Sequence, residues 1–271
     1  MGLSILYLLG VCVAAYLGWA IVLFLMQPRL LYRPVKDIAY TPAQLDIEFE
    51  EVFIETVDGV RLHGWYVPAG ESEFTVLFCH GNGGNISHRL DSLSFFQQIG
   101  LSCLVFDYRG YGKSGGKPSE KGTYLDAQAA YEWLRETRKT PPDRIIIFGR
   151  SLGGSIAAHL ADHAACCALV LESAFTSYTD MGRRFYPYMP VRWFARFRYS
   201  TARHVANVTC PVMVIHSRTD EIVPYEFGID VFNAANEPRR FVEISGGHND
   251  GFLVSGEIYR AAWAELIESL S

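Results

Sequence analysis

The sequence has no surplus of basic side chains: its 271 residues include 24 lysines and arginines against 29 aspartates and glutamates, for a net charge of −5. Nucleic-acid binding requires a broad basic surface that neutralises phosphates. We therefore expect no nucleic acid among the partners. The chain also lacks internal repeats, low-complexity tracts and a linker to a second domain, so its organisation is that of a globular protein with material for one packed core.

The six cysteines lack the C-x-x-C spacing of a metal site. Cys12 lies in the N-terminal apolar segment, Cys166 and Cys167 are adjacent, and the other three lie in apolar runs. Free thiols buried in the protein are the ordinary state of such cysteines. We expect no metal ion to be bound by them.

Charge is absent from the first 28 residues, and residues 3–26 are all apolar or small. At about 1.5 Å per residue, a helix of this length crosses a hydrocarbon core roughly 30 Å thick. A cleaved signal peptide would begin with basic residues and have a shorter apolar core. The segment 1–28 is therefore interpreted as a retained, single-pass membrane anchor.

Three basic residues between positions 29 and 36 follow this anchor, and by the positive-inside rule they predict a cytoplasmic main domain. Within the anchor, Gly10, Ala14 and Gly18 are spaced by four residues and would share one helical face. Small residues so placed let membrane helices approach closely, so a homodimer through this helix is one hypothesis. The alternative is that small residues are simply common in membrane helices.

Residues 29–48 are predicted to be a juxtamembrane connector, and residues 49–271 an α/β domain. Alternating stretches around Asp58 and Gly59 predict a β-hairpin. After it, apolar strands alternate with amphipathic helices, which indicates a mostly parallel sheet covered on both faces. The predicted strands are 74–79, 101–107, 144–149, 167–173, 211–217 and 239–245, and the predicted helices are 86–99, 120–137, 152–163, 224–235 and 250–270.

One segment interrupts the alternation of strands and helices. Residues 181–205 contain no acidic side chain and interleave arginines with aromatics. We interpret about 176–205 as a cap inserted into the domain. Its aromatics and arginines would suit a bilayer surface; alternatively, the aromatics form the core of the cap and the arginines face solvent.

Three glycine clusters each follow a predicted strand. The segment from Gly110 to Gly115 matches G-x-G-x-x-G, but a dinucleotide site needs a helix that opens immediately after that motif. Here residues 116–118, Gly-Lys-Pro, intervene. A glycine-rich loop is the favoured interpretation, and no nucleotide is expected.

The cluster Gly149-Arg-Ser151-Leu-Gly153 matches G-x-S-x-G and lies between a predicted strand and a predicted helix, the context of a nucleophile elbow. A serine that only caps a helix would not explain both glycines. A serine nucleophile needs a base that a carboxylate orients. Asp220 and His248 follow later predicted strands in the order that a hydrolase requires.

Alternatives to this triad remain at the acid position. Asp220 could be the cap of the next helix, Glu221 beside it is a competing acid, and Glu172 is a less favoured one. For the oxyanion hole, the backbone N–H groups of Asn82 and Leu152 are the candidates. His80 is interpreted as a support of the loop that contains Asn82, not as a base.

Four motifs carry a resemblance to a known family: HGNGGN at 80–85, DYRGYG at 107–112, GRSLGG at 149–154 and SRTDEIVP at 217–224. Together with the N-terminal span, they resemble the α/β-hydrolase superfamily over nearly everything after the connector. More narrowly, the sequence resembles the membrane-anchored BEM46/ABHD13-like branch.

The resemblance implies an eight-stranded α/β-hydrolase core, a Ser-His-Asp mechanism and no metal or organic cofactor. It leaves the substrate open, since the superfamily cleaves esters, thioesters and amides on one scaffold. With the anchor and the cap, we expect a membrane-anchored serine hydrolase whose partners are the lipid bilayer and an acyl ester or thioester. A serine peptidase or amidase of the same fold and a non-catalytic membrane scaffold are the alternatives.

Overall fold

Strands and helices alternate along the part of the chain that the computed structural model describes, residues 2–70 and 72–270. The strands are β1 (Arg33–Pro34), β2 (Glu50–Glu55), β3 (Arg61–Val67), β4 (Thr75–Cys79), β5 (Gly83–Gly84), β6 (Ser102–Phe106), β7 (Ile145–Arg150), β8 (Ala168–Glu172), β9 (Val212–Ser217) and β10 (Arg239–Ile244). The helices are α1 (Gly2–Leu31), α2 (Leu90–Gln98), α3 (Glu120–Glu136), α4 (Leu152–His163), α5 (Tyr178–Phe185), α6 (Val191–Phe194), α7 (Thr201–Val205), α8 (Tyr225–Ala234), α9 (Gly251–Val254) and α10 (Gly256–Leu270).

Eight of these strands form one sheet in the order β10-β9-β8-β7-β4-β6-β3-β2. The pairs from β10 to β6 are parallel, and β3 is antiparallel to both β6 and β2. The predicted hairpin is β2–β3, which turns at Gly59 with a φ of 76°. The prediction of a mostly parallel eight-stranded sheet is therefore confirmed.

The core lies on both faces of the sheet because the central strands are buried at every position and mostly apolar. In β7, Ile145 and Ile147 pack into one hydrophobic cluster, while Ile146 and Phe148 pack into the cluster on the opposite face. This is the two-residue alternation of a strand that is buried on both sides. Trp263 of α10 covers Phe148, with ring centroids 5.7 Å apart.

Most predicted elements lie within a few residues of the observed ones, and the predicted helix 152–163 coincides with α4. Two predicted helices are divided. A 3₁₀ turn at Ile86–Arg89 precedes α2, and the C-terminal helix is interrupted between Val254 and Gly256, where α9 ends and α10 begins.

Helix α1 projects its apolar side chains outward. The most apolar 18-residue window of its segment Ser4–Leu31 has a mean hydropathy of 2.4, and only 6% of that window is buried. The cap helices α5 and α6 lie beside this helix. Gln27 donates from Nε2 to the carbonyl of Phe194 (2.9 Å) and accepts at Oε1 from the amide of Arg196 (2.8 Å). Further along α1, the Tyr16 hydroxyl donates to the carbonyl of Tyr188 (3.0 Å).

Candidate active site

Ser151 occupies a strained turn between the carboxyl end of β7 and the first residue of α4. Its φ of 55° and ψ of −120° lie in a region that residues other than glycine rarely adopt. Such a backbone conformation typically costs about 1–3 kcal/mol. The flanking glycines have no room for a side chain. A Cβ at Gly149 would lie 2.3 Å from the carbonyl oxygen of Gly153, and one at Gly153 would lie 1.9 Å from that of Cys79. Close packing of α4 on the sheet thus requires both glycines of the motif.

His248 and Asp220 are brought together from the loops after β10 and β9. His248 Nδ1 lies 2.8 Å from Asp220 Oδ2. The other carboxylate oxygen, Oδ1, accepts from the backbone amides of Ile222 (2.9 Å) and Val223 (2.8 Å). The carboxylate is therefore fixed from two sides, and its bond to Nδ1 leaves Nε2 of the imidazole for proton transfer.

The surroundings of Asp220 keep its carboxylate ionised. Its side chain is fully buried, and this burial raises the pKa of Asp220. The hydrogen bond and charge of His248, together with the two backbone amides, lower the pKa by more, so that it lies below its ordinary value. An ionised acceptor is the form that stabilises a protonated His248.

The two competing acids occupy different positions. Glu221 accepts at Oε2 from the backbone amide of His248 (2.9 Å), so it contacts the histidine loop and not the ring. Glu172 is buried in an ion pair with Arg150, 2.7 Å from Nε to Oε1, and also accepts from the hydroxyl of Tyr259 (2.6 Å). Asp220 is the acid that the structure places against the imidazole.

All four residues predicted to face the reaction line a single cavity, namely Ser151, His248, Asn82 and Leu152. The cavity measures about 2050 Å³ when the space open to solvent is included. Among the hydrogen bonds of the described residues, none joins the Ser151 hydroxyl to His248. Proton transfer between them therefore requires the Ser151 hydroxyl and the His248 ring to come within hydrogen-bond distance during the reaction.

The two predicted oxyanion donors belong to segments that lie next to the serine. Leu152 is the first residue of α4, where a backbone N–H has no partner within the helix. Asn82 belongs to the loop after β4, next to Gly81. A Cβ on Gly81 would lie only 3.6 Å from the Cβ of Ser151, so this loop runs directly past the serine.

The connector after α1 supports the Asn82 loop, a feature that the sequence analysis did not predict. The amide of Arg33 donates to the carbonyl of Asn82 (3.1 Å), and that of Val35 donates to the carbonyl of Gly84 (3.1 Å). Asn82 Nδ2 in turn donates to the carbonyl of Leu31 (2.8 Å), the last residue of α1. In this way β1 pairs with β5, and the end of the apolar helix is joined to the cavity wall.

His80 lies beneath the same loop and is fully buried. Its Nδ1 donates to the carbonyl of Gly81 (2.7 Å), and Tyr108 donates its hydroxyl to the carbonyl of His80 (2.9 Å). Burial lowers the pKa of His80 to about 3, so its ring is neutral at physiological pH. These contacts are those of a supporting residue. Within residues 2–70 and 72–270, no group of three or more His, Cys, Asp or Glu side chains could hold a metal ion.

Comparisons with known proteins identify the class to which this fold and site belong. A family model described as the α/β-hydrolase fold matches residues 75–209. An uncharacterised protein of Mycobacterium tuberculosis is 40% identical over 253 residues, covering 92% of this chain and 90% of that protein. The protein bem46 of Schizosaccharomyces pombe is 32% identical over 209 residues, covering 74% of this chain and 70% of bem46.

A solved structure gives the same result. An esterase of Pyrococcus furiosus superposes with a TM-score of 0.74 at 25% identity, covering 88% of this chain and 100% of the esterase chain. The chain belongs to the α/β-hydrolase family, and bem46 is one of its homologues. The resemblance inferred from the four motifs is thereby confirmed, as is the fold class.

Proposed function

We propose that this protein is a membrane-anchored serine hydrolase that cleaves carboxylic esters or thioesters through Ser151, His248 and Asp220. The observation that carries the proposal is the strained turn at Ser151, which lies in one cavity with a histidine held by a buried carboxylate. Strain in a native turn persists where the surrounding structure enforces it, and such turns cluster at active sites. The esterase with a similar fold supports ester chemistry.

The reaction begins with proton transfer from Ser151 to Nε2 of His248 as the serine oxygen attacks the acyl carbonyl. Asp220 stabilises the imidazolium through its bond to Nδ1. The backbone amides of Asn82 and Leu152 hold the oxyanion of the tetrahedral intermediate. When this intermediate collapses, the leaving alcohol or thiol takes the proton from His248. Water, deprotonated by the same histidine, then cleaves the acyl-enzyme and releases a carboxylic acid and free Ser151.

In this proposal α1 stays attached as the anchor, because its removal as a signal peptide would break its contacts with the cap and with the Asn82 loop. Gln27 bonds the cap, and Leu31 bonds the Asn82 loop. Tyr16 lies 15 residues before Leu31, about 22 Å along the helix axis, yet it contacts the cap at Tyr188. The tip of the cap would therefore lie at the membrane surface, where the 90% exposed Tyr188 and the 86% exposed Trp193 suit the interface and the exposed Arg192 suits lipid phosphates.

With the cap at the membrane, the active site would receive substrates from the bilayer. We therefore favour lipid esters or acylated proteins as substrates. A cytoplasmic catalytic domain follows from the basic residues after the anchor. The test is a panel of esters, thioesters and peptide amides of varied chain length, assayed with purified protein in lipid nanodiscs. Hydrolysis of esters or thioesters that disappears in Ser151→Ala supports the proposal. Exclusive cleavage of peptide amides would replace it with a peptidase, and activity that survives in Ser151→Ala would refute the mechanism.

A further inference from the structure

A second cavity lies between α1 and the cap. Its α1 side is formed by Ala20, Leu23 and Leu30, and its cap side includes Tyr186 and Val191. It is a groove of about 520 Å³ when the space open at its side is included. The neighbouring α1 side chains Ile21, Val22 and Leu25 are exposed, so the groove borders the surface that the bilayer would cover.

The groove adjoins the catalytic cavity. Four residues line both spaces: Leu30, Tyr178, Gly182 and Tyr186. The groove therefore extends from Ala20, along α1 and under the cap, to the wall of the cavity that holds Ser151.

The chemistry of the groove suits an alkyl chain. Its described lining residues include no charged side chain. The amide of Gln27, which does line it, is already satisfied by backbone groups of Phe194 and Arg196. A ligand that fills the groove gains burial of apolar surface, and the other polar groups of its lining side chains are the hydroxyls of Tyr178 and Tyr186.

The length of the groove matches one lipid leaflet. Ala20 and Leu30 are ten residues apart on α1, about 15 Å along its axis. The hydrocarbon core of a bilayer is about 30 Å thick, so each leaflet, and each lipid acyl chain in it, spans about half of that distance.

From this adjacency, chemistry and length we infer that the groove between α1 and the cap binds the acyl chain of the substrate. In this proposal the chain enters sideways from the bilayer, and its carbonyl end reaches Ser151 past the shared lining residues Leu30 and Tyr186. This inference rests on the proposed function, since it assigns the long-chain specificity of the same active site.

The test fills the groove and leaves the catalytic residues unchanged. Leu23→Trp places an indole in the groove. Leu25→Trp is the matched control, because it lies about 200° around the same helix at a position that is 63% exposed. Both variants, the wild type and Ser151→Ala are assayed in nanodiscs with p-nitrophenyl butyrate and p-nitrophenyl palmitate.

Burial of one methylene group multiplies binding by about fourfold, so exclusion of even two should lower kcat/KM for the palmitate ester by at least about tenfold. We expect this loss in Leu23→Trp, with the butyrate ester hydrolysed at the wild-type rate and Leu25→Trp unchanged on both. Equal losses on both esters, or a Leu23→Trp profile identical to that of Leu25→Trp, would overturn the groove and leave the proposed function intact.

If no Ser151-dependent hydrolysis is found, a binding measurement can still test the groove independently of the proposed function. Ser151→Ala protein in nanodiscs is cross-linked to a phospholipid whose palmitoyl chain carries a diazirine, and the modified peptides are identified by mass spectrometry. Cross-links to residues 178–195 that Leu23→Trp abolishes and Leu25→Trp preserves support the groove. Cross-links that are absent from this segment, or insensitive to Leu23→Trp, reject it.

Discussion

Replacement of Asp220 by asparagine tests the assignment of the acid against its neighbour Glu221. The two carboxylates are adjacent in sequence, yet only Asp220 contacts the imidazole, at 2.8 Å from Nδ1, while Glu221 holds the backbone amide of His248 at 2.9 Å. Asparagine keeps the size of the side chain and removes its charge. The effect on catalysis therefore reports the electrostatic role of the group.

The size of the expected loss in kcat follows from the hydrogen bonds of Asp220. Asp220 accepts on both oxygens, from His248 on one and from the amides of Ile222 and Val223 on the other. In either orientation of an asparagine amide, its NH₂ group would face another donor. If that donor is the histidine, the imidazole must take the tautomer that leaves Nε2 unable to accept a proton, and the equivalent change in a serine protease lowers kcat by about 10⁴-fold. We expect Asp220→Asn to lose about 10³-fold to 10⁴-fold in kcat.

Glu221→Gln is the matched control, because a glutamine oxygen can still accept from the His248 amide. The loss of kcat in Glu221→Gln should stay below about tenfold, which is the effect expected when one hydrogen bond to a charged group is weakened. Both variants are compared with the wild type in the ester assay, with circular dichroism and thermal unfolding to verify the fold. A larger loss in Glu221→Gln than in a folded Asp220→Asn would refute the assignment of the acid.

Three further predictions concern the turn, the buried histidine and the connector. Gly153→Ala should lower the free energy of unfolding by about 3 kcal/mol or more, because its Cβ would overlap a backbone carbonyl. Gly256→Ala, where nothing lies within 4 Å, should change it by less than about 1 kcal/mol in the same urea titration. Because burial holds the pKa of His80 at about 3, the unfolded chain binds the proton first as the pH falls below the ordinary histidine pKa. The free energy of unfolding should therefore decrease by up to about 1.4 kcal/mol per pH unit between about pH 6 and 4, and an unchanged slope in a folded His80→Gln would contradict this. Removal of residues 1–36 should lower kcat for a soluble short ester by about tenfold or more, because the oxyanion loop loses its support. Removal of residues 1–28 should leave that value within about threefold, and equal effects of the two truncations would contradict the role of the connector.

Much of the candidate site could be predicted because it follows from the topology of a parallel sheet. Side chains after the carboxyl ends of parallel strands meet at one edge, so Ser151, Asp220 and His248 could be grouped from their positions after apolar runs. A helix cap would not explain the two glycines of G-x-S-x-G. The structure explains them, because a Cβ at Gly149 or Gly153 would overlap the carbonyl of Gly153 or Cys79, respectively.

Asp220 was the predicted acid, but its spacing alone could not exclude Glu221, because the two residues occupy the same short loop. Which carboxylate faces the ring depends on the turn whose amides, at Ile222 and Val223, hold one oxygen of Asp220. Sequence spacing carries no information on that orientation.

The contact between the connector after α1 and the loop that contains Asn82 could not be predicted from the sequence either. Leu31 and Asn82 are 51 positions apart, and they meet through two strands of only two residues each, β1 and β5. Such short strands have no periodicity to detect. The groove beside α1 likewise depends on how the cap docks, which only the folded chain defines.

The central claim, that Ser151 is the nucleophile, is tested most directly by labelling with a fluorophosphonate and mapping the adduct by mass spectrometry. We expect the wild-type protein in nanodiscs to carry one phosphonyl group on the peptide that contains Ser151, and folded Ser151→Ala to carry none. Equal labelling of the two proteins, or no adduct on the folded wild type, would contradict the account.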